Sequence, residues 1–175
     1  WTRTYGGSNY DQGVIVHQTL DRGYILGAET ESYGAGMRDI WLIKTDSFGE
    51  TIWTRTYGGD EYEACRAVLQ TPDGGYFIGG WTESFGLTTL PDVYLLKTDS
   101  LGDTLWTRRY GSGNPDLCYS AALTSDGGYI VAGSTWSYGP GGQSGYVLKL
   151  NSNGDTLWTK TYGCIDEDFV CRHII

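Results

Sequence analysis

The segment WTRTYGG fills residues 1–7 and returns unchanged at 53–59, then as WTRRYGS from Trp106 and WTKTYGC from Trp158. Between these anchors the same punctuation recurs. TPDGGYFIGG from Thr71 is echoed by TSDGGYIVAG from Thr124, and KTDSFGETIW from Lys44 by KTDSLGDTLW from Lys97. A chain that repeats itself about every fifty residues is built from one supersecondary unit, each copy burying its apolar surface against the next.

Within the second unit, residues 64–70, 75–81, 92–98 and 103–110 are short runs rich in β-branched and aromatic side chains, the length and composition of strands. Pro72-Asp73-Gly74-Gly75 and Asp99-Ser100-Leu101-Gly102-Asp103 separate the first pair and the last pair. Such Asp-Gly and Gly-Gly steps supply the positive φ angles that tight hairpins need. Sequence neighbours then become spatial neighbours, so each unit reads as an antiparallel four-stranded meander. Apolar residues stand on both parities, as in Tyr129-Ile130-Val131-Ala132 and Val93-Tyr94-Leu95-Leu96, and no helical period is present. Both faces of every sheet are therefore buried.

Sheets of this kind repeated at this spacing fit the blades of a β-propeller; a parallel β-solenoid is the competing architecture. The expected division is 1–7 as the outer strand of a preceding blade, 8–59, 60–112 and 113–163 as three blades, and 164–175 as the inner strand of a following one. Three blades and two fragments do not close a ring of four to eight, so the chain reads as part of a longer protein.

The pattern Asp-Ser-x-Gly-(Glu/Asp)-Thr-x-Trp at Asp46–Trp53 and Asp99–Trp106, with a variant at Asn151–Trp158, resembles the turn-plus-Trp motif of quinoprotein-like propeller blades. Its turn is one residue shorter than that family's usual one. The whole unit, DGGYIVAG through KTDSxGDTLW to WTKTYGG, is similar to the tandem propeller repeats of secreted bacterial and archaeal surface proteins. The likeness covers nearly the whole chain. It implies an architecture and an extracellular or cell-surface location, and it specifies no activity, because such blades carry many unrelated roles.

The formal charge of −9 is spread along 175 residues without a Lys/Arg cluster, which disfavours nucleic acid and anionic lipid as partners. No apolar run approaches the ~20 residues that span a bilayer as a helix. In a meander the tight DGG and DSxG turns share one rim. The other rim collects the longer segments from Ser32, Ser84 and Ser137 and the links GGSNYD, GGDEYE, GSGNPD and GCIDED. Reach and variation on a rigid scaffold favour this loop-rich rim as a ligand face.

Tyr33, Phe85 and Tyr138 recur there at one offset, each followed by Gly. They suit stacking against a glycan; the alternative is that they fill the wedge between blades. An acidic residue recurs ten positions after each anchor Trp, at Asp11, Glu63, Asp116 and Asp168. Such a ring would attract a cation, Ca²⁺ being the obvious one, or else each carboxylate caps its own interblade turn.

Cys65, Cys118 and Cys171 share a repeat position held by Gly13 in the first unit, which places them on successive innermost strands. They read as small buried hydrophobes or, without any Cys-x-x-Cys spacing in support, as weak metal candidates. Cys164 stands in a link, and an oxidising compartment would allow it to bridge Cys171. His17 and His173 lie at unrelated offsets, and neither accompanies a recognisable nucleophile motif.

With no catalytic constellation and no expected cofactor, the reading is a noncatalytic extracellular scaffold or recognition module for protein or glycan. The alternatives are a structural subunit of a filament or surface layer, self-assembling through shared blades, and part of a quinoprotein-like or glycosidase-type propeller enzyme.

Overall fold

The computed structural model describes residues 1–86 and 88–163. Twelve strands alternate with turns, and no helix occurs among the described residues. Strands β1 (Asp11–Gln18), β2 (Tyr24–Thr30), β3 (Asp39–Thr45) and β4 (Thr51–Tyr57) form the first sheet. The second contains β5 (Glu63–Gln70), β6 (Tyr76–Thr82), β7 (Asp92–Thr98) and β8 (Thr104–Tyr110). The third contains β9 (Asp116–Leu123), β10 (Tyr129–Thr135), β11 (Ser144–Leu150) and β12 (Thr156–Tyr162). Every sheet is an antiparallel meander in sequence order, as the paired turn signals required. The strands of the second unit fall within a residue of their expected bounds.

Turn chemistry accounts for the hairpins. Gly74 and Gly127 hold φ of 83° and 79° in the first hairpin of their sheets, and Gly49, Gly102 and Gly154 hold 77–82° in the second. In the first unit the position of Gly74 is taken by Arg22, which adopts φ 67° without glycine's freedom. The aspartate of each first hairpin is held from below by a lysine of the third strand. Lys44, Lys97 and Lys149 are buried, and their ammonium groups reach Asp21, Asp73 and Asp126 at 2.8–2.9 Å. The lysine near the end of each third strand thus ties one hairpin of a sheet to the other.

The sheets stack face to face. Ile25, Ile40 and Leu42 of the first meet Cys65, Val68, Tyr76, Ile78, Tyr94 and Leu96 of the second in one apolar layer. Phe77, Val93 and Leu95 on the opposite face of the second meet Val131, Tyr146, Leu148 and Leu150 of the third. This is the two-sided burial that apolar residues on both parities demanded.

The sheets approach most closely at their first strands: β5 lies against β1, β2 and β3, and β9 against β5, β6 and β7. Glycine makes this approach feasible. A methyl group on Gly27 would meet Val68 Cγ2 at 2.6 Å and Cys65 Sγ at 2.8 Å, and one on Gly79 would meet Cys118 Sγ at 3.1 Å. Toward the fourth strands the gap is filled by large rings. Trp53 packs edge-on to Tyr76, Trp106 packs likewise on Tyr129, and Phe77 stacks on Tyr129 at 4.1 Å.

The fourth strands of the first two sheets also clasp the next unit. Tyr57 Oη donates to Gly102 O at 2.6 Å and Tyr110 Oη to Gly154 O at 2.7 Å. Residues 1–7 lie outside the named strands, yet they make the same clasp on the first unit: Tyr5 Oη donates to Gly49 O at 2.7 Å, and Trp1 packs edge-on to Tyr24. The expected inner strand at 164–175 lies outside the described residues.

Candidate functional site

The loop-rich rim is built from the β2–β3, β6–β7 and β10–β11 loops beside the links that enter β1, β5 and β9. A repeated aromatic pair is its most regular feature. Tyr33 packs on Trp41, Phe85 on Tyr94 and Tyr138 on Tyr146, with ring centroids 5.1, 5.3 and 5.7 Å apart. Trp41, Tyr94 and Tyr146 are buried in their third strands, whereas the loop partners are 47%, 45% and 41% exposed. Each rim aromatic therefore has one face anchored and another open to solvent. The anchoring ring belongs in each case to the same sheet, not to its neighbour. Tyr33 is further fixed by its hydroxyl, which donates to Gly6 O at 3.1 Å.

The acidic residues that share one repeat position occupy a different place from a surface ring. Glu63 and Asp116 are 0% exposed, and Asp11 is partly exposed. Their oxygens fasten the link to the loop above it. Asp11 accepts from Gly7 N at 2.7 Å, from Ser32 Oγ at 2.8 Å and from Thr30 Oγ1. Glu63 accepts from Gly59 N at 2.9 Å and from Thr82 Oγ1, and Asp116 accepts from Ser112 N at 3.2 Å and from Ser137 Oγ. A carboxylate that binds a loop N–H and hydroxyls at once positions the rim aromatic one residue beyond the serine. These residues hold the loop-rich rim from beneath. Asp168 lies outside the described residues.

Cys65 and Cys118 are free, buried thiols on successive first strands, each opposite a glycine of the preceding sheet. Burial pushes both up to about 12, so they are uncharged packing groups at neutral pH. Among the described residues no three His, Cys, Asp or Glu side chains cluster as a metal site. Cys171, and with it the Cys164–Cys171 pairing, lies outside the described residues.

Three features of the rim were not singled out from the sequence. A cavity of about 590 Å³ opens between the second link and the β6–β7 loop, lined by Asp60, Glu61, Glu83, Ser84, Phe85 and Thr88 among others. It joins three carboxyl groups to the exposed ring, and burial, together with Glu61 and Glu63, raises Glu83 above the ordinary carboxylate range. At the first link the guanidinium of Arg38 lies over Tyr10 at 4.8 Å and Tyr62 at 5.7 Å, and it pairs with Glu31 at 2.8 Å. Buried Glu29 receives Arg66 from the next sheet. Arg38, Glu29 and Arg66 occur in one unit only, so the repeat gave no signal for them.

The third feature does repeat. Asp39 and Asp92 open β3 and β7, and Ser144 opens β11. Each lies beside the glycine that follows the tyrosine of its own fourth strand. A methyl group on Gly58 would meet Asp39 Oδ1 at 1.8 Å and Glu63 Oε2 at 2.3 Å, which bounds the separation of those two oxygens at about 4.1 Å. On Gly111 the corresponding neighbours are Asp92 Oδ1 and Asp116 Oδ2, and on Gly163 it is Ser144 Oγ at 2.7 Å. The Tyr-Gly dipeptide of the repeat is thus required by a polar pocket at the junction between units.

No protein-family model matches the chain. Among curated proteins it is similar to the regulatory protein FlaEY of Caulobacter vibrioides, with 33% identity over 187 aligned residues, taking in 91% of this chain and 20% of the relative. The chain therefore spans about a fifth of the relative's length.

Proposed function

We propose that this chain is part of a β-propeller of the tandem-repeat kind, a noncatalytic recognition module or scaffold that holds a protein or glycan on its loop-rich rim. Support for the propeller comes from face-to-face packing of equivalent four-stranded sheets, tight at the first strands and filled by Trp and Tyr rings toward the fourth. The observation that carries the binding role is the rim itself. Three half-exposed aromatics stand at equivalent positions, anchored on buried rings, and one borders a cavity large enough for a sugar or a side chain. Rigid rings with an open face offer contact area at little conformational cost. The regulatory designation of the Caulobacter relative accords with a partner-binding role. An extracellular or surface location belongs to the same proposal and rests on the likeness to secreted repeat proteins.

The test is the triple variant Tyr33→Ala, Phe85→Ala, Tyr138→Ala, screened against a glycan array and in pull-downs beside the unaltered protein. Loss of retention with an unchanged circular-dichroism spectrum is expected. Undiminished retention by the folded variant refutes the assignment of the rim.

A further inference from the structure

The junction between the first and second sheets presents a charge problem that the second junction meets with a cation. Asp39 is 1% exposed and Glu63 fully buried, and their facing oxygens lie within about 4.1 Å. Asp39 Oδ2 accepts from the backbone N–H of Ala35 at 2.8 Å, but Oδ1, the oxygen turned toward Glu63, has no hydrogen-bond partner among the described residues. Two ionised carboxylates so close and so dry would repel each other strongly, and each would lack the hydration it has in water.

At the second junction the corresponding pair, Asp92 and Asp116, has a cation at its side: the Arg109 guanidinium binds Asp92 Oδ2. In the third sheet Ser144 stands where the other two have the aspartate. The first junction has neither device: the residue at the offset of Arg109 is Thr56, opposite Trp41 as Arg109 is opposite Tyr94. Arg38, next to Asp39 in sequence, is committed to Glu29 and Glu31. Arg66 is committed to Glu29.

We infer that Asp39 and Glu63 bind a single proton between them at neutral pH, so that the first inter-sheet junction is a proton-binding site and loosens when that proton leaves. A shared proton gives Asp39 Oδ1 its missing partner, as a donor to Glu63 Oε2, and leaves one net negative charge instead of two. A metal ion would serve the charge as well. However, hard cations take six to eight oxygens, and here only two carboxyl oxygens face each other in a buried space. Other titratable or charged groups near the pair are Glu61 and Glu83, Tyr94 of β7, and Arg38 adjacent in sequence to Asp39. Burial raises Asp39, with Glu63 adding to it.

The sign follows directly. The unfolded chain releases its carboxyl protons near pH 4, while the folded junction keeps one, so folding takes up a proton. Stability conferred by the pair is complete below pH 4 and falls as pH rises through the folded value, by up to about tenfold in the folding constant per pH unit.

The experiment measures urea unfolding from pH 4.5 to 8 for the whole chain and for Asp39→Asn and Thr56→Arg, the second of which transplants the device of the second junction. Asp92 and Glu83, which burial also raises, titrate in all three proteins, so the difference between profiles isolates the pair. The unaltered chain should lose folding constant with rising pH relative to both variants. It should also show the infrared band of a protonated carboxyl at neutral pH, absent from Asp39→Asn. Parallel profiles for all three proteins overturn the inference. So does saturable stabilisation by Ca²⁺ or Na⁺ without that band, which would assign the junction to a metal ion.

Discussion

Gly27 offers the sharpest test of how the sheets pack. Its backbone is not in the left-handed region, so alanine meets no conformational penalty there and gains about 0.4–1 kcal/mol by restricting the unfolded chain. The obstacle is the neighbouring sheet. A Cβ would sit 2.6 Å from Val68 Cγ2 and 2.8 Å from both Cys65 Sγ and Ile15 Cγ2, roughly 1 Å inside the optimum for carbon contacts. All three are packed in the layer between the sheets, where relief requires off-rotamer side chains or backbone shifts costing about 1–3 kcal/mol. Gly27→Ala should therefore destabilise the chain by a net of about 1–2 kcal/mol.

Val68→Ala alone removes two methyl groups from a fully buried site and should cost about 2 kcal/mol. In the double variant the new methyl group enters the space that Val68 Cγ2 vacates, so the combined loss should fall short of the sum by about 1 kcal/mol. The remaining contacts with Cys65 and Ile15 prevent full relief. Urea unfolding followed by tryptophan fluorescence, with a constant slope across the four proteins, provides the cycle. Additivity within about 0.5 kcal/mol would mean that β2 and β5 do not meet as described, and the stacking argument would fail with it.

Two further outcomes follow from the hairpins. Arg22→Gly should stabilise the chain by about 1 kcal/mol in the same unfolding assay, since Arg22 holds a positive φ that Gly74 and Gly127 occupy at the equivalent turns; a loss of stability would mean that the arginine side chain contributes more than its backbone costs. Asp73 is raised by burial but drawn down more strongly by Lys97, Thr71 and the Gly75 N–H, to about 2, and Asp21 is likewise about 2, chiefly through the Thr19 hydroxyl. Both folded values lie below the unfolded one, so their stabilisation is present above about pH 5 and lost as pH falls toward 2. Lys97→Met should cost about 1 kcal/mol at neutral pH, because the Asp73 side chain is largely solvated, and should flatten this acid limb; an unchanged limb would separate Lys97 from Asp73.

Much of the architecture was legible in the chain because the repeat presents the same local problem several times. Asp-Gly and Gly-Gly steps specify hairpins through backbone sterics alone, and apolar residues on both parities specify sheets covered on both faces. The rim aromatics could likewise be located from their offset, although only the coordinates show each of them half anchored on a ring of its own third strand. The carboxylates were read either as a cation ring or as caps of their own links, and the coordinates show Asp11, Glu63 and Asp116 accepting from link N–H groups. A one-dimensional pattern records that Glu63 and Asp116 recur, whereas their burial depends on loops that fold over them from a distance of about twenty residues in sequence.

What the sequence determined by itself is whatever local sterics and period dictate: strand length, turn type, meander order and the two-faced burial of the middle strands. Tertiary structure decided the rest, since it alone brings side chains of different units together. Cys65 rests over Gly27, and Tyr57 clasps Gly102. Asp39 faces Glu63 across a glycine too crowded to carry a side chain. The physical reason is that burial and electrostatic interaction depend on separation through space, which neither residue type nor repeat offset contains.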